Sequence, residues 1–522
     1  MAAGNIPDQN IVKYKLDRGL WEVDSTGSSP PDESFSKVFT NLYVKADGSL
    51  QVRPTSYPWI SFNAATQAAT LKVPLKYTVG LFSNTAPAKA LVFDPEYNYS
   101  TTPKRAFVIS QPGSGNTNAF ANIGNYFITD FVEYNGTIYF STPTNGVYKI
   151  TTFTWPGPTI TPTAVASSPN LDGMIFFKSR LFGFKGSTIY FTDVTTTAAP
   201  NPETWATSVN TVIINSTGAT PKIYKLMVFN DRLMIFTDNG LYTLSIQGQP
   251  ASWLLKPLDL AIQVNSFECA VEYRGHIYFV DATGVWMTNG SSSQLISEPI
   301  KYNFIYSTFG SSFRILRVGS FLMVYMAYTT VFGGVQDETC YYTSFDNLGS
   351  WGKYQGGDTG MLPIASLNKV PLTTNTYANE AVLLHEIGGS NFVILSDWQA
   401  AGYLDDYNRT ALGFTLTTSD LAVGSDIEDK YVKYGYMVLN NEFNGGSMSI
   451  NVNVNGTEAI IPTTYGTGTL TGQRVIKFEV GVRVRRLTVS VSYAVPTGPG
   501  AIIEGLYFVV GTERTSTEKF EF

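Results

Sequence analysis

One phrase recurs along the chain: an aromatic residue, two or three polar residues, then an apolar run of strand length. It reads YNGTI at 134–138, FKSRL at 177–181, FNDRL at 229–233 and YRGHI at 273–277. Weaker copies lie around Leu91, Phe321 and Val382. Anchored on the first apolar strand residue, the copies fall at 91, 138, 181, 233, 277, 321 and 382, with spacings of 47, 43, 52, 44, 44 and 61. A period in that range matches a four-stranded propeller blade. Each anchor strand should be an inner or middle strand of its blade, apolar on both faces because blades stack on each side. Leu233, Met234, Ile235 and Phe236 in succession fit that better than a half-exposed alternating strand. The strand after it alternates, with Tyr242, Leu244 and Ile246 on one face, which suits a position nearer the blade edge. The expected fold is all-β: a β-propeller of six or seven blades over residues 76–410.

Two regions lie outside the repeat. Residues 1–75 are turn-rich and hold one orderly segment at 39–54, a hairpin whose tip is Ala46, Asp47, Gly48 and Ser49. They read as an N-terminal arm and hairpin. From 411 to 522 the strands lengthen and alternate, as in SMSINVNVNG and QRVIKFEVGVRVRRLTVSVSYAV. In the second stretch Val484, Arg486, Thr488 and Ser490 would share one face, and Arg485, Leu487, Val489 and Val491 the other. This pattern predicts a β-sandwich or jelly-roll-like domain. A competing reading is an irregular sandwich throughout, but a sandwich requires no spacing held near 44 residues.

Composition narrows the class. Apolar residues make up 43% and charged residues 15%, enough to form a core and too little charge for disorder. Tyr and Phe number 31 and 33, suited to pleated, half-buried surfaces. The net charge of -6 argues against a protein that grips phosphates, though not against a conduit that nucleic acid passes through. The longest apolar run, FLMVYMAY at 321–328, is well short of the ~20 residues of a membrane-spanning helix. No apolar signal-type segment opens the sequence, so no membrane-spanning segment and no secretion are expected. Cys269 and Cys340 are too few for a disulfide framework or zinc site, and both read as reduced core thiols.

Residue patterns that carry reaction chemistry are sparse. His276 occupies a slot held by Thr137, Arg180 and Arg232 in sister copies, and His385 sits in another strand. No phosphate-binding loop, dinucleotide fingerprint or nucleophile elbow is present, so catalytic residues, cofactors and metals are all expected to be none. The enzymatic alternative is a sialidase-like glycosidase or glycan-binding propeller. Ser344, Asp346 and Trp351 approximate the hairpin motif of such enzymes, with Leu348 where glycine belongs. Asp193, Asp281, Glu338 and Asp397 would be its candidate carboxylates.

Several segments together resemble one family, the propeller-containing tail nozzle or hub proteins of short-tailed bacteriophages. The segment with Asn41, Tyr43, Gly48, Arg53 and Pro54 is one. Others are RLF at 180–182 followed by IYFTD and PETW at 189–193 and 202–205, FNDRLMIF at 229–236, the blade ending GVW at 284–286, and VRVRRL at 482–487. Where the family continues with glycine after Arg-Pro, this chain has Thr55. The resemblance covers most of the chain and rests on strand patterns. It implies a homo-oligomeric, hexameric ring in the virion tail, assembled in the host bacterial cytoplasm. The ring would dock on portal and adaptor proteins, with tail fibres or spikes outside, and would gate or conduct double-stranded DNA during ejection. A head-completion plug or tail adaptor is a related role. Partner contacts are expected on the N-terminal hairpin, at Phe39, Leu42, Tyr43, Val44, Arg53 and Pro54; the alternative is that this hairpin supplies a strand that closes the propeller.

Overall fold

The computed structural model describes residues 11–21, 33–53, 55–63, 78–83, 89–93, 106–110, 128–135, 137–151, 161–206, 208–215, 220–305, 313–329, 336–355, 361–368, 379–387, 392–399, 413–423, 429–443, 446–454, 457–466, 469–494 and 502–511, some strands as backbone only. Among the described residues seven antiparallel meander sheets follow one another along the chain, and they form a propeller joined to a β-sandwich. Blade 1 comprises Thr78–Ser83, Lys89–Phe93 and Ala106–Ser110. Blades 2 to 6 begin with Asp130–Tyr134, Gly173–Phe177, Ile223–Phe229, Ala270–Tyr273 and Arg314–Val318, and each has four strands. Blade 7 is Met361–Asn368, Asn379–Ile387 and Phe392–Gln399, and its fourth strand comes from the other end of the chain, Thr55–Asn63. First strands lie against each other between blades 2 and 3, 3 and 4, 5 and 6, and 6 and 7, and that of blade 7 lies against that of blade 1. The circle is thereby closed by chain pairing as well as packing.

All seven anchors, including the three weak copies, lie on the second strand of a blade. In blade 4 this strand, Arg232–Thr237, buries Leu233, Met234, Ile235, Phe236 and Thr237. Blade stacking on both sides is the cause, and each such leucine contributes about 2 kcal/mol of burial. The polar residues of the recurring phrase form two-residue turns. Lys178 and Ser179 have φ of 46° and 60°, Asn230 and Asp231 of 49° and 59°, and Arg274 and Gly275 of 50° and 74°. Positive φ at both positions matches the right-handed twist of the flanking strands.

The second hairpin of a blade repeats too. It ends in a glycine with positive φ at Gly146, Gly240 and Gly284. A Cβ there would meet Ser168 Oγ at 2.6 Å, Leu260 Cδ2 at 2.9 Å or Ser297 Oγ at 2.5 Å, because the link to the next blade packs on the turn. The strand that follows is the third of four. Gly240–Ser245 is buried at its first five positions under Leu254–Asp259, so its alternation in sequence does not expose a face.

The sandwich is assembled from both ends of the chain. One sheet has the order Leu42–Val44, Leu50–Val52, Ile502–Gly511, Lys430–Leu439, Val475–Val484, with Ile11–Tyr14 also paired to Ile502–Gly511. The other continues blade 6: Gly352–Lys353 pairs in parallel with Ser36–Thr40, followed by Phe414–Thr418, Arg486–Ala494, Ser447–Val454 and Thr457–Tyr465. The first 75 residues therefore form no separate arm in the described part. A hairpin with one small apolar face is marginal alone and gains stability by joining a larger sheet.

A second difference concerns 484–491. The alternation there is continuous in sequence, yet Val475–Val484 and Arg486–Ala494 belong to opposite sheets. The chain crosses at Arg485, whose Nε donates to Asp429 Oδ1 at 2.7 Å. Crossing lets Val484 face the core together with Leu487, Val489 and Val491, which a single strand would forbid.

Candidate functional site

The hairpin at 39–54 forms, with Leu42 opposite Val52 and Val44 opposite Leu50. Its tip is held by Asp47, which accepts from Ser49 N at 2.9 Å. Of the residues expected to touch partners, Phe39, Leu42, Val44 and Arg53 are buried inside this chain, at 0%, 0%, 1% and 1% exposure. Tyr43 is half-buried against Phe321 of blade 6, ring centroids 5.0 Å apart. Pro54 lies outside the described residues.

These residues build a junction between propeller and sandwich. Asn41 takes up φ of 57°, a conformation asparagine tolerates better than most residues. Its Oδ1 accepts from Arg53 Nε at 2.9 Å and from Gln355 N at 3.0 Å, while its Nδ2 donates to Gly413 O at 3.0 Å. Arg53 Nη2 donates to Gln355 O at 3.1 Å, and its guanidinium lies 3.8 Å from the Tyr354 ring centroid. Tyr342 OH donates to Leu42 O at 2.6 Å. Burial pushes the Tyr342 phenol well above its usual range, opposed by the Arg53 charge, so it remains a donor. Gly352 completes the fit: a Cβ there would meet Leu42 O at 2.4 Å. The motif through Asn41 and Arg53 is thus a clasp between blade 6, the strand entering at Gly413 and the hairpin.

The other motif residues fasten blade to blade or brace a blade internally. Glu203 in PETW accepts from Tyr139 OH at 2.9 Å and Lys149 Nζ at 2.6 Å, both on blade 2. Trp205 is buried with Tyr139, Val147, Leu171 and Leu181 in the wall between blades 2 and 3. Arg180 donates to Thr192 O at 2.6 Å beside Phe191 and Trp253; burial draws its pKa down, opposed by Asp193. In blade 5, Asp281 Oδ1 accepts from Thr283 N at 2.8 Å, Gly284 N at 3.1 Å and Trp286 Nε1 at 3.1 Å.

Those bonds commit Asp281 to a turn. Asp193, exposed, accepts from Asn210 Nδ2 at 2.9 Å. The side chains of Glu338, Asp397 and His385 lie outside the described residues. His276 is half-exposed, its Nδ1 3.3 Å from Arg274 O. In the approximate glycosidase hairpin, Asp346 pairs with Arg274 at 3.0 Å, whereas Trp351 is fully buried and donates from Nε1 to Ile296 O at 2.8 Å. Gly19 packs against that tryptophan, and this contact leaves no trace in the sequence pattern. Cys269 and Cys340 are free and buried; burial pushes Cys269 to about 12 and Cys340 higher still. Among the described residues no three His, Cys, Asp or Glu side chains gather as metal ligands, and no helix is long and apolar enough to cross a membrane.

No family model matches the chain, and no curated protein is similar to it in sequence. Solved structures that align with it include BBS1N in complex with ARL6DN, at 10% identity over 66% of this chain and 98% of that one, TM-score 0.40. The Pan2 WD40 domain of Neurospora crassa aligns at 11% identity over 67% and 99%, TM-score 0.38. An exo-beta-1,3-galactanase of Phanerochaete chrysosporium aligns at 12% identity over 85% and 97%, TM-score 0.24. Likeness at this level carries no statement about activity, and the fold assignment rests on the strand topology itself.

Proposed function

We propose that the chain is a non-enzymatic, ring-forming structural protein of a virion tail, a nozzle or hub of the short-tailed bacteriophage type. In this reading copies assemble as a hexameric ring on the portal and adaptor proteins, with fibres or spikes outside. The ring gates or conducts double-stranded DNA during ejection.

The observation that supports it is how the resembling motifs are used. Asn41 with Arg53 and Glu203 with Trp205 bind one structural element to another, and Asp281 with Trp286 braces a turn within blade 5. Such use suits a body selected to stay assembled under load. The chain's net charge of -6 suits a wall along which DNA slides without adhering.

Light scattering of the purified full chain, with immunogold labelling of intact virions, tests the reading. The expected result is a closed oligomer and label at one end of the particle. A strictly monomeric protein absent from virions would overturn it.

A further inference from the structure

The outer face of the sandwich sheet holds a group of residues that none of the fasteners employs. Strand registers align Lys13, Tyr507, Tyr436 and Lys477 in one row across four strands. At about 4.8 Å per strand the row is about 14 Å wide. One step along, Tyr434 lies opposite Glu479. Alternation puts these side chains outward, while their chain neighbours Met437, Phe478 and Phe508 are buried in the core. Lys477 Nζ lies 3.6 Å from the Tyr434 ring centroid and Lys13 Nζ 4.8 Å from that of Tyr507. Glu504 accepts from Lys13 Nζ at 3.1 Å and from Tyr507 OH at 2.8 Å.

We propose that this face binds an anionic polysaccharide whose charges fall on some but not all of its sugars. Pyranose rings present flat C–H faces, and half-exposed tyrosines on an open sheet offer matching apolar surfaces with hydroxyls at their edges. Charge complementarity selects an anionic chain. Lys13, Lys15, Lys433, Lys477 and Arg483 stand against Glu479 and Glu504, an excess of three positive charges on a protein whose net charge is -6. The cations in the row stand at its two ends with uncharged rings between them, which matches sparse charge. Glu479 beside Tyr434 opposes a phosphodiester strand, which carries a charge on every unit. This inference goes beyond the ring assignment and does not depend on it.

Affinity electrophoresis of the full chain tests it with three probes: hyaluronan, which bears a carboxylate on alternate sugars, neutral dextran, and an oligothymidylate. Hyaluronan should retard the protein, and added salt should weaken the retardation. Tyr436→Ala should lower the affinity roughly tenfold, and Tyr436→Phe, which keeps the ring, should come close to the parent. The double variant Lys13→Gln, Lys477→Gln leaves the core untouched and should also lose binding. The proposal is overturned if hyaluronan has no effect, if dextran retards equally, or if oligothymidylate binds more tightly. Unchanged hyaluronan binding in the double variant overturns it as well.

Discussion

Replacing Arg53 by methionine should open the clasp between propeller and sandwich. The side chain is 1% exposed, so water does not replace what is lost. The bonds lost among the described residues include those to Asn41 Oδ1 at 2.9 Å and Gln355 O at 3.1 Å, together with the stacking 3.8 Å over Tyr354. Bonds from a charged donor contribute about 1.5–3 kcal/mol each, and a desolvated cation–π contact about 2 kcal/mol. Against these, the variant no longer desolvates a guanidinium, and methionine fills most of the space. The balance is a loss of about 3 kcal/mol. A chain with two such bodies need not unfold in one step, so the suitable assay is native-state hydrogen exchange over Ser36–Thr40, Leu42–Val44 and Gly352–Lys353. Protection there should fall roughly 100-fold, while blades 3 and 4 change little. Protection within threefold of the parent, or equal loss across every blade, would refute the clasp.

Three further outcomes follow from the same packing. Glu203→Gln keeps the bond from Tyr139 but loses the charge pair with Lys149, and should lower stability by about 1 kcal/mol, read as a shift in urea midpoint of the transition that includes blades 2 and 3. Gly19→Ala and Gly275→Ala both add a Cβ at positive φ, 72° and 74°, but only the first meets backbone, with Trp351 O at 2.6 Å. The first should therefore cost at least about 3 kcal/mol and the second about 1 kcal/mol, with equal costs speaking against the Gly19 contact. Cys269 and Cys340, buried and with raised pKa, should resist a thiol reagent at pH 8 in the folded protein and react in full in denaturant. Rapid labelling of either in the native state would contradict their burial.

Much of the architecture is legible in the sequence because blade stacking imposes a physical period. The second strand of each blade must be apolar on both faces, so Leu233 to Phe236 and their counterparts announce themselves. Turn positions are legible for the same reason, since Asn230, Asp231 and Gly275 tolerate positive φ. What is not legible depends on contacts distant in sequence. Thr55–Asn63 as the last strand of blade 7, and Ser36–Thr40 joining blade 6 to the sandwich, leave no local sign. Sequence places Arg53 at the surface because arginine is seldom buried, whereas Asn41, Tyr354 and Gln355 converge on it in the fold. The continuous alternation around Arg485 hides the crossing for a related reason. Period two shows which residues face alike within a strand, and it is silent about where the chain passes to another sheet.

The most direct test of the account is cryo-electron microscopy of the purified protein at assembly concentrations. It predicts closed rings of copies, each with seven blades around a central axis and a sandwich continuous with blade 6. Single copies at every concentration, or a body in which Thr55–Asn63 does not complete the last blade, would contradict it.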